Sequence, residues 1–130
     1  MQSPLPFLLP DSDWAPTPVS QLPSWEGAKR ISIDTEFLDP NLKELGPGVR
    51  RGAKIVGVSF KIEDGGAFYL PVRHSEGNLP KEQVFDYLRD NAAAFKGVLV
   101  GANMQVDLDF LAEEGVHFLN VSKYRDIQVT

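Results

Sequence analysis

Three consecutive apolar residues, Val98-Leu99-Val100, stand between Gly97 and Gly101, with a helical pattern on either side. A run without polar alternation reads as a strand buried on both faces. Upstream, Pro80 suits the first turn of a helix, because its missing N–H would be unpaired there in any case. That helix runs to about Phe95, with Val84, Leu88, Ala92 and Phe95 on one face and Gly97 as its stop. Downstream, Gly101-Ala102-Asn103 leads into a second helix from about Met104 to Glu114, and Gly115 falls where a left-handed cap is expected. A further strand is expected at Val116 to Leu119, with a loop from Asn120 to Asp126.

The N-terminal half carries a different pattern. Lys29-Arg30-Ile31-Ser32-Ile33-Asp34 is a short strand whose Ile31 and Ile33 share a face. A second strand at about Lys54 to Ile62 and a third at Ala67 to Val72 are joined by Glu63-Asp64-Gly65-Gly66, a hairpin turn in which Gly supplies positive dihedrals. Between the first two strands, the segment Asp39 to Ala53 holds Pro40, Gly46, Pro47, Gly48 and Gly52 and reads as a mobile loop. Residues 1–27 hold six of the ten prolines, with Trp14 and Trp25, and show no periodicity. They read as an extended arm, and their composition suits both packing along the domain surface and a flexible linker.

Composition excludes several kinds of chemistry. With 130 residues the chain has the size of one domain. The absence of cysteine removes disulfides, zinc–thiolate sites and thiol nucleophiles. Any metal must be held by oxygen or imidazole, and two histidines far apart leave oxygen in the lead. The net charge of −5 runs against the basic face of a simple nucleic-acid binder. Acids gathered around divalent cations would reverse that sign locally. No apolar run approaches the roughly 18 residues needed to span a bilayer, and the proline-broken N-terminus lacks a basic leader, so a cytoplasmic location without membrane partners is expected.

The acids fall into two groups. Asp34 and Glu36 lie two apart at the carboxyl end of the first strand and so share a face. Two such carboxylates repel, which a divalent cation between them would relieve. Asp-x-Glu by itself is a weak motif that chance produces often, and an exposed strand end is its commoner source. In Asn103-Met104-Gln105-Val106-Asp107, Asn103 suits an N-cap and Asp107 lies about one turn along, able to face the end of the preceding strand. Alone, this pair is also consistent with a simple cap and a surface acid.

Taken together, Ile-Ser-Ile-Asp-Thr-Glu-Phe at 31–37 and Gly-Ala-Asn-Met-Gln-Val-Asp-Leu-Asp-Phe-Leu-Ala-Glu-Glu-Gly-Val at 101–116 resemble the first and second motifs of the DEDD 3′–5′ exonucleases. The nearest likeness is to the proofreading domain of family A DNA polymerases, including bacteriophage ones, and Phe68-Tyr69-Leu70-Pro71-Val72 also fits that group. The resemblance covers residues 28–130 and leaves the 1–27 arm aside. It implies an α/β, ribonuclease H-like mixed sheet with flanking helices. It also implies that Asp34 bridges two ions, Mg²⁺ or Mn²⁺, that Glu36 helps hold one of them and the attacking water, and that Asp107 serves the second. In such a site one ion acidifies water and the other stabilises the leaving 3′ oxygen, at a spacing of roughly 4 Å. Thr35, Phe37, Leu38 and Asn103 would meet the substrate, Asn103 at the terminal nucleotide and Phe37 or Leu38 as a wedge against the last base. Core packing accounts for Phe37 equally well.

The family's third motif, Tyr or His followed four residues later by Asp, is not found after Asp107. The expectation is therefore an exonuclease fold cut before its last catalytic element, inactive in isolation and completed by a polymerase region or a following segment. Asp126 is expected to cap a following helix. His74 reads as a solvated or substrate-side loop residue, and His117 as structural. The function expected is hydrolysis of single-stranded DNA at its 3′ end. The alternatives are a non-catalytic module binding DNA or protein, and a ribonuclease D-like RNA exonuclease.

Overall fold

The structure is a computed structural model and describes residues 15–38 and 53–127. Most of the expected 39–53 loop and the first half of the arm lie outside the described residues. Five strands form one mixed sheet in the order β3-β2-β1-β4-β5: β1 Arg30–Leu38, β2 Lys54–Ile62, β3 Ala67–Pro71, β4 Val98–Gly101 and β5 Lys123–Asp126. The first three run antiparallel, and β4 and β5 run parallel to β1. Helix α1, Lys81–Ala94, precedes β4, and helix α2, Met104–Glu113, follows it. This is the α/β, ribonuclease H-like arrangement.

Alternation along β1 decides which face is covered. Ile31, Ile33 and Thr35 are buried on one side, while Ser32, Asp34 and Glu36 look to the other. The covered side packs Val58, Phe60 and Leu70 of the sheet with Val84, Phe85 and Leu88 of α1 and Phe110 and Leu111 of α2. Trp25 is fully enclosed in the same core, 1% exposed, with its ring against Phe60, Tyr87, Phe95 and Phe118. Its indole N–H donates to the Tyr87 hydroxyl at 3.0 Å, and its backbone N–H donates to Asn91 Oδ1 at 2.8 Å. A buried indole needs such a partner for its single donor. Among the described residues no helix is long and apolar enough to cross a membrane.

Three local expectations are corrected. The fifth strand lies at Lys123–Asp126, whereas 116–119 is irregular. Two apolar residues of 116–119 meet the core, Val116, which is buried, and Phe118, whose ring lies stacked against Trp25, while Leu119 is exposed. All four residues of β5 are exposed, so its pairing with β4 leaves no hydrophobic alternation to read. Second, the left-handed residue of the β2–β3 hairpin is Asp64, at φ 64°, and neither following glycine has a positive φ. Asp tolerates that region because its short side chain bonds locally. Third, Asn103 occupies the N-cap position without a side-chain capping bond.

The end of α2 matches expectation. Gly115 has φ 81°, its N–H donates to Ala112 O, and the N–H of Val116 donates to Leu111 O. That pair of bonds is the Schellman closure, with buried Val116 supplying its hydrophobic contact. Gly97 is needed for a different reason. A Cβ there would lie 2.5 Å from Lys29 O and 2.8 Å from Ala28 O, backbone atoms that cannot swing aside, at the point where β4 joins β1. Gly97→Ala is therefore expected to cost about 1–3 kcal/mol by overpacking. Urea unfolding measures this, and an unchanged midpoint would show that the β1–β4 junction yields without cost.

Candidate functional site

β1 outruns its parallel neighbour. The β1–β4 ladder ends at Ser32–Val100, while β1 continues through Asp34 and Glu36 to Leu38. Chain β4 leaves at Gly101 and turns into α2, opening a crevice at the carboxyl ends of the parallel strands, where open α/β sheets bind their ligands. A concavity of about 550 Å³ lies over the uncovered face of the sheet, where Ser32, Ser59, Lys61, Ala67 and Tyr69 line it, and it reaches Asp34, Glu36 and Gly101 at this edge without including Asp107. This falls within the usual size range of a ligand pocket.

Asp107 sits in the first turn of α2, only 2% exposed. Its Oδ1 accepts from the Thr35 hydroxyl at 2.6 Å and from the Thr35 backbone N–H at 3.3 Å, which ties α2 to β1 just past the end of the β4 ladder. Its other oxygen, Oδ2, is buried without a hydrogen-bond partner among the described residues. Such a group is costly unless something else satisfies it. Desolvation pushes the Asp107 carboxyl up to about 6; the Thr35 hydroxyl pulls against this, and the charges of Asp34 and Asp126 add to the rise. Asp34 is likewise raised, first by partial burial and then by Glu36.

Thus Asp34 stands electrostatically between Glu36 and Asp107. Asp107, however, reaches β1 through Thr35, on the covered side of the strand. Among the described residues no three acidic or imidazole side chains converge closely enough to hold a metal ion as they stand.

Glu36 is held from the opposite direction. The Tyr69 hydroxyl donates to Glu36 Oε1, and His74 Nε2 lies 2.6 Å from that hydroxyl and 3.8 Å from the carboxylate. Burial, followed by the bond to Glu36, raises the Tyr69 pKa well above its ordinary value, so the phenol keeps its proton at neutral pH. His74, which reads in the sequence as a loop residue, is thus a partner of the site. The signal missed was spatial, because strand β3 brings Tyr69 and the turn after it to β1 across β2.

The remaining candidates divide by exposure. Thr35 is buried as the Asp107 partner. Phe37 stacks on Phe110, with centroids 4.3 Å apart and planes at 17°, which uses its ring in packing. Leu38 is 69% exposed at the end of β1, and Asn103 is exposed at the start of α2. Asp126, expected as a helix cap, ends β5 beside Gly101 and lies close enough to raise Asp107. An acid at the carboxyl end of each parallel strand or of the segment following it would have flagged Asp126, had β5 been legible.

Fold and site together define a ribonuclease H-like α/β domain with carboxylates gathered at the carboxyl edge of its parallel strands. No protein-family model matches the chain. Over 132 aligned positions, 99% of its length, the chain is 54% identical to a protein of Pseudomonas phage M6 named DNA-directed DNA polymerase. The chain spans 20% of the length of that relative.

Proposed function

We propose that this chain is part of a DNA polymerase and forms its 3′–5′ exonuclease domain, which removes nucleotides from the single-stranded 3′ end of DNA by metal-dependent hydrolysis. The observation that carries the reading is Asp107: a carboxylate held buried in a helix first turn, with one oxygen unpartnered and two further acids raising its pKa. Strongly perturbed carboxylates cluster at functional sites, and a divalent cation is a ligand that would relieve this cost. The donors are all oxygens, which suits Mg²⁺ or Mn²⁺. The phage relative named as a polymerase supports DNA as the substrate.

On this reading Asp34, Glu36 and Asp107 hold the ions, which when bound supply an acidified water and charge to stabilise the leaving 3′ oxygen. Thr35 fixes one oxygen of Asp107 and leaves the other to the site. Exposed Leu38 is the apolar side chain placed to stack on the terminal base, since Phe37 is engaged with Phe110. Asn103, uncommitted as a cap, is placed to bond the terminal nucleotide. That no three acids converge as they stand among the described residues favours a second reading, a non-catalytic module binding DNA or protein.

Calorimetric titration of the 130-residue chain with Mn²⁺ separates the two. Weak binding is expected, reduced at least about tenfold by Asp34→Ala. Equal binding by wild type and variant would leave the module reading in its place.

A further inference from the structure

We propose that Tyr69, lodged in a slot left by Gly57 and backed by His74, is a positioning residue that holds the Glu36 carboxylate in one orientation toward the site; this rests on the exonuclease reading above. In the sheet register Tyr69 faces Ser59, whereas Gly57 faces both Glu36 and Pro71. To reach Glu36, the phenol must therefore lean diagonally across β2, over residue 57. It does so because residue 57 has no side chain: a Cβ built there would collide with the Tyr69 hydroxyl and ring, meeting Cε1 at 2.7 Å. Any other residue at 57 would close the route.

The far side of the phenol is fixed with equal care. Residues 72–78 are clamped by the bonds of the Val72 and Arg73 N–H groups to Val56 O and of the Arg73 guanidinium to Ile55 O at 2.7 Å. Within that segment Asn78 closes a reciprocal pair, its Oδ1 accepting from His74 N at 2.8 Å and its Nδ2 donating to His74 O at 2.7 Å. The register shift between Glu36 and Phe37 leaves Val56 as the extra residue of β2, between Gly57 opposite Glu36 and Ile55 opposite Phe37, and the Val56 carbonyl is the one that anchors this clamp. The proton count gives the direction of the chain of bonds. Tyr has one hydroxyl proton and donates it to Glu36, so the contact with His74 requires Nε2 to carry a hydrogen and donate to the phenol oxygen. One donor chain, imidazole to phenol to carboxylate, thus occupies one lone pair of Oε1 and stops the otherwise mobile Glu36 side chain from rotating.

Partners that orient a metal-binding carboxylate typically change affinity by about 10- to 100-fold when removed. Two measurements test this on the full 130-residue chain. The first, free of metal, is the NMR spectrum of the Glu36 side-chain methylenes, which is expected to report one rotamer in the wild type and averaged rotamers in Tyr69→Phe. The second is Mn²⁺ affinity followed by the paramagnetic resonance of the free ion. Tyr69→Phe is expected to weaken it about tenfold, with no further loss when added to Glu36→Gln, and His74→Gln, which keeps a donor near Nε2, is expected to retain more affinity than His74→Ala. Gly57→Ala should reproduce the Tyr69→Phe spectrum, and if that variant fails to fold Tyr69→Phe still decides. A Glu36 side chain as ordered in Tyr69→Phe as in the wild type, or losses from Tyr69→Phe and Glu36→Gln that add in full, overturns the proposal. Affinity unaffected by Asp34→Ala would instead sink the metal-site reading, while the metal-free spectrum still judges whether Tyr69 fixes Glu36.

Discussion

Asp34→Ala is expected to remove, by at least about a hundredfold, the metal-dependent release of nucleotides from a single-stranded DNA 3′ end. Asp34 is the acid coupled to both of the others: Glu36 raises its pKa, and its own charge raises that of Asp107. Misplacing reacting groups by about 1 Å already costs on the order of a hundredfold in rate, and removal of a shared ligand displaces more than that. The measurement needs two polypeptides. Residues 1–130 contain no Tyr or His followed four residues later by Asp after Asp107, so they are expected to show little activity. A longer polypeptide that includes such a motif is expected to be active, and Asp34→Ala is to be made in it. Robust cleavage by residues 1–130, abolished by Asp34→Ala, would show that a further acid completes the site, and Asp126 at the end of β5 would be the first to test. An inactive longer polypeptide would favour the binding module.

Asp107→Asn is expected to stabilise the metal-free protein while it abolishes metal binding. The folded state raises the Asp107 pKa from 3.8 to about 6, so it binds this proton more tightly than the unfolded chain does. Stability contributed by this group is therefore greatest below the unfolded pKa, falls as pH rises through the window from 3.8 to about 6, and is flat above it. The full difference is about 3 kcal/mol, on the scale of about 1.4 kcal/mol for each pKa unit. Residue 107 is 2% exposed, and this full difference is the upper bound of the effect. Asparagine keeps an acceptor for Thr35 but places an unpartnered amide where Oδ2 was, which returns part of the gain. A net increase of about 1–2 kcal/mol at pH 7 is the expected result, with a flatter profile between pH 4 and 6. Urea unfolding across that range measures both. Added Mg²⁺ should then stabilise the wild type but not the variant, since only a state that binds the ion gains from it. An Asp107→Asn profile parallel to the wild type would show that the carboxylate is not strained in the folded protein.

Both expectations turn on acids whose spacing is plain in the sequence but whose meeting is not. Periodicity along 29–34, 54–62 and 67–72, the apolar run 98–100 and the Gly115 cap determine where four of the strands and both helices fall, because each depends on neighbours a few residues away, whereas the extension of β1 to Leu38 was not legible. The pairs Asp34 with Glu36 and Asn103 with Asp107 are legible for the same reason. Strand β5 was not, since an exposed edge strand is held by backbone pairing that leaves no mark on side-chain pattern. The enclosure of Trp25, far along the chain from Phe95 and Phe118, was settled only by packing. Tertiary structure alone decided that Thr35 would take up one oxygen of Asp107 and that Tyr69 would cross Gly57 to reach Glu36. Sequence sets which side chains can carry charge, whereas the desolvation and hydrogen bonds that tune that charge arise between residues separated by dozens of positions and exist only once the sheet has formed.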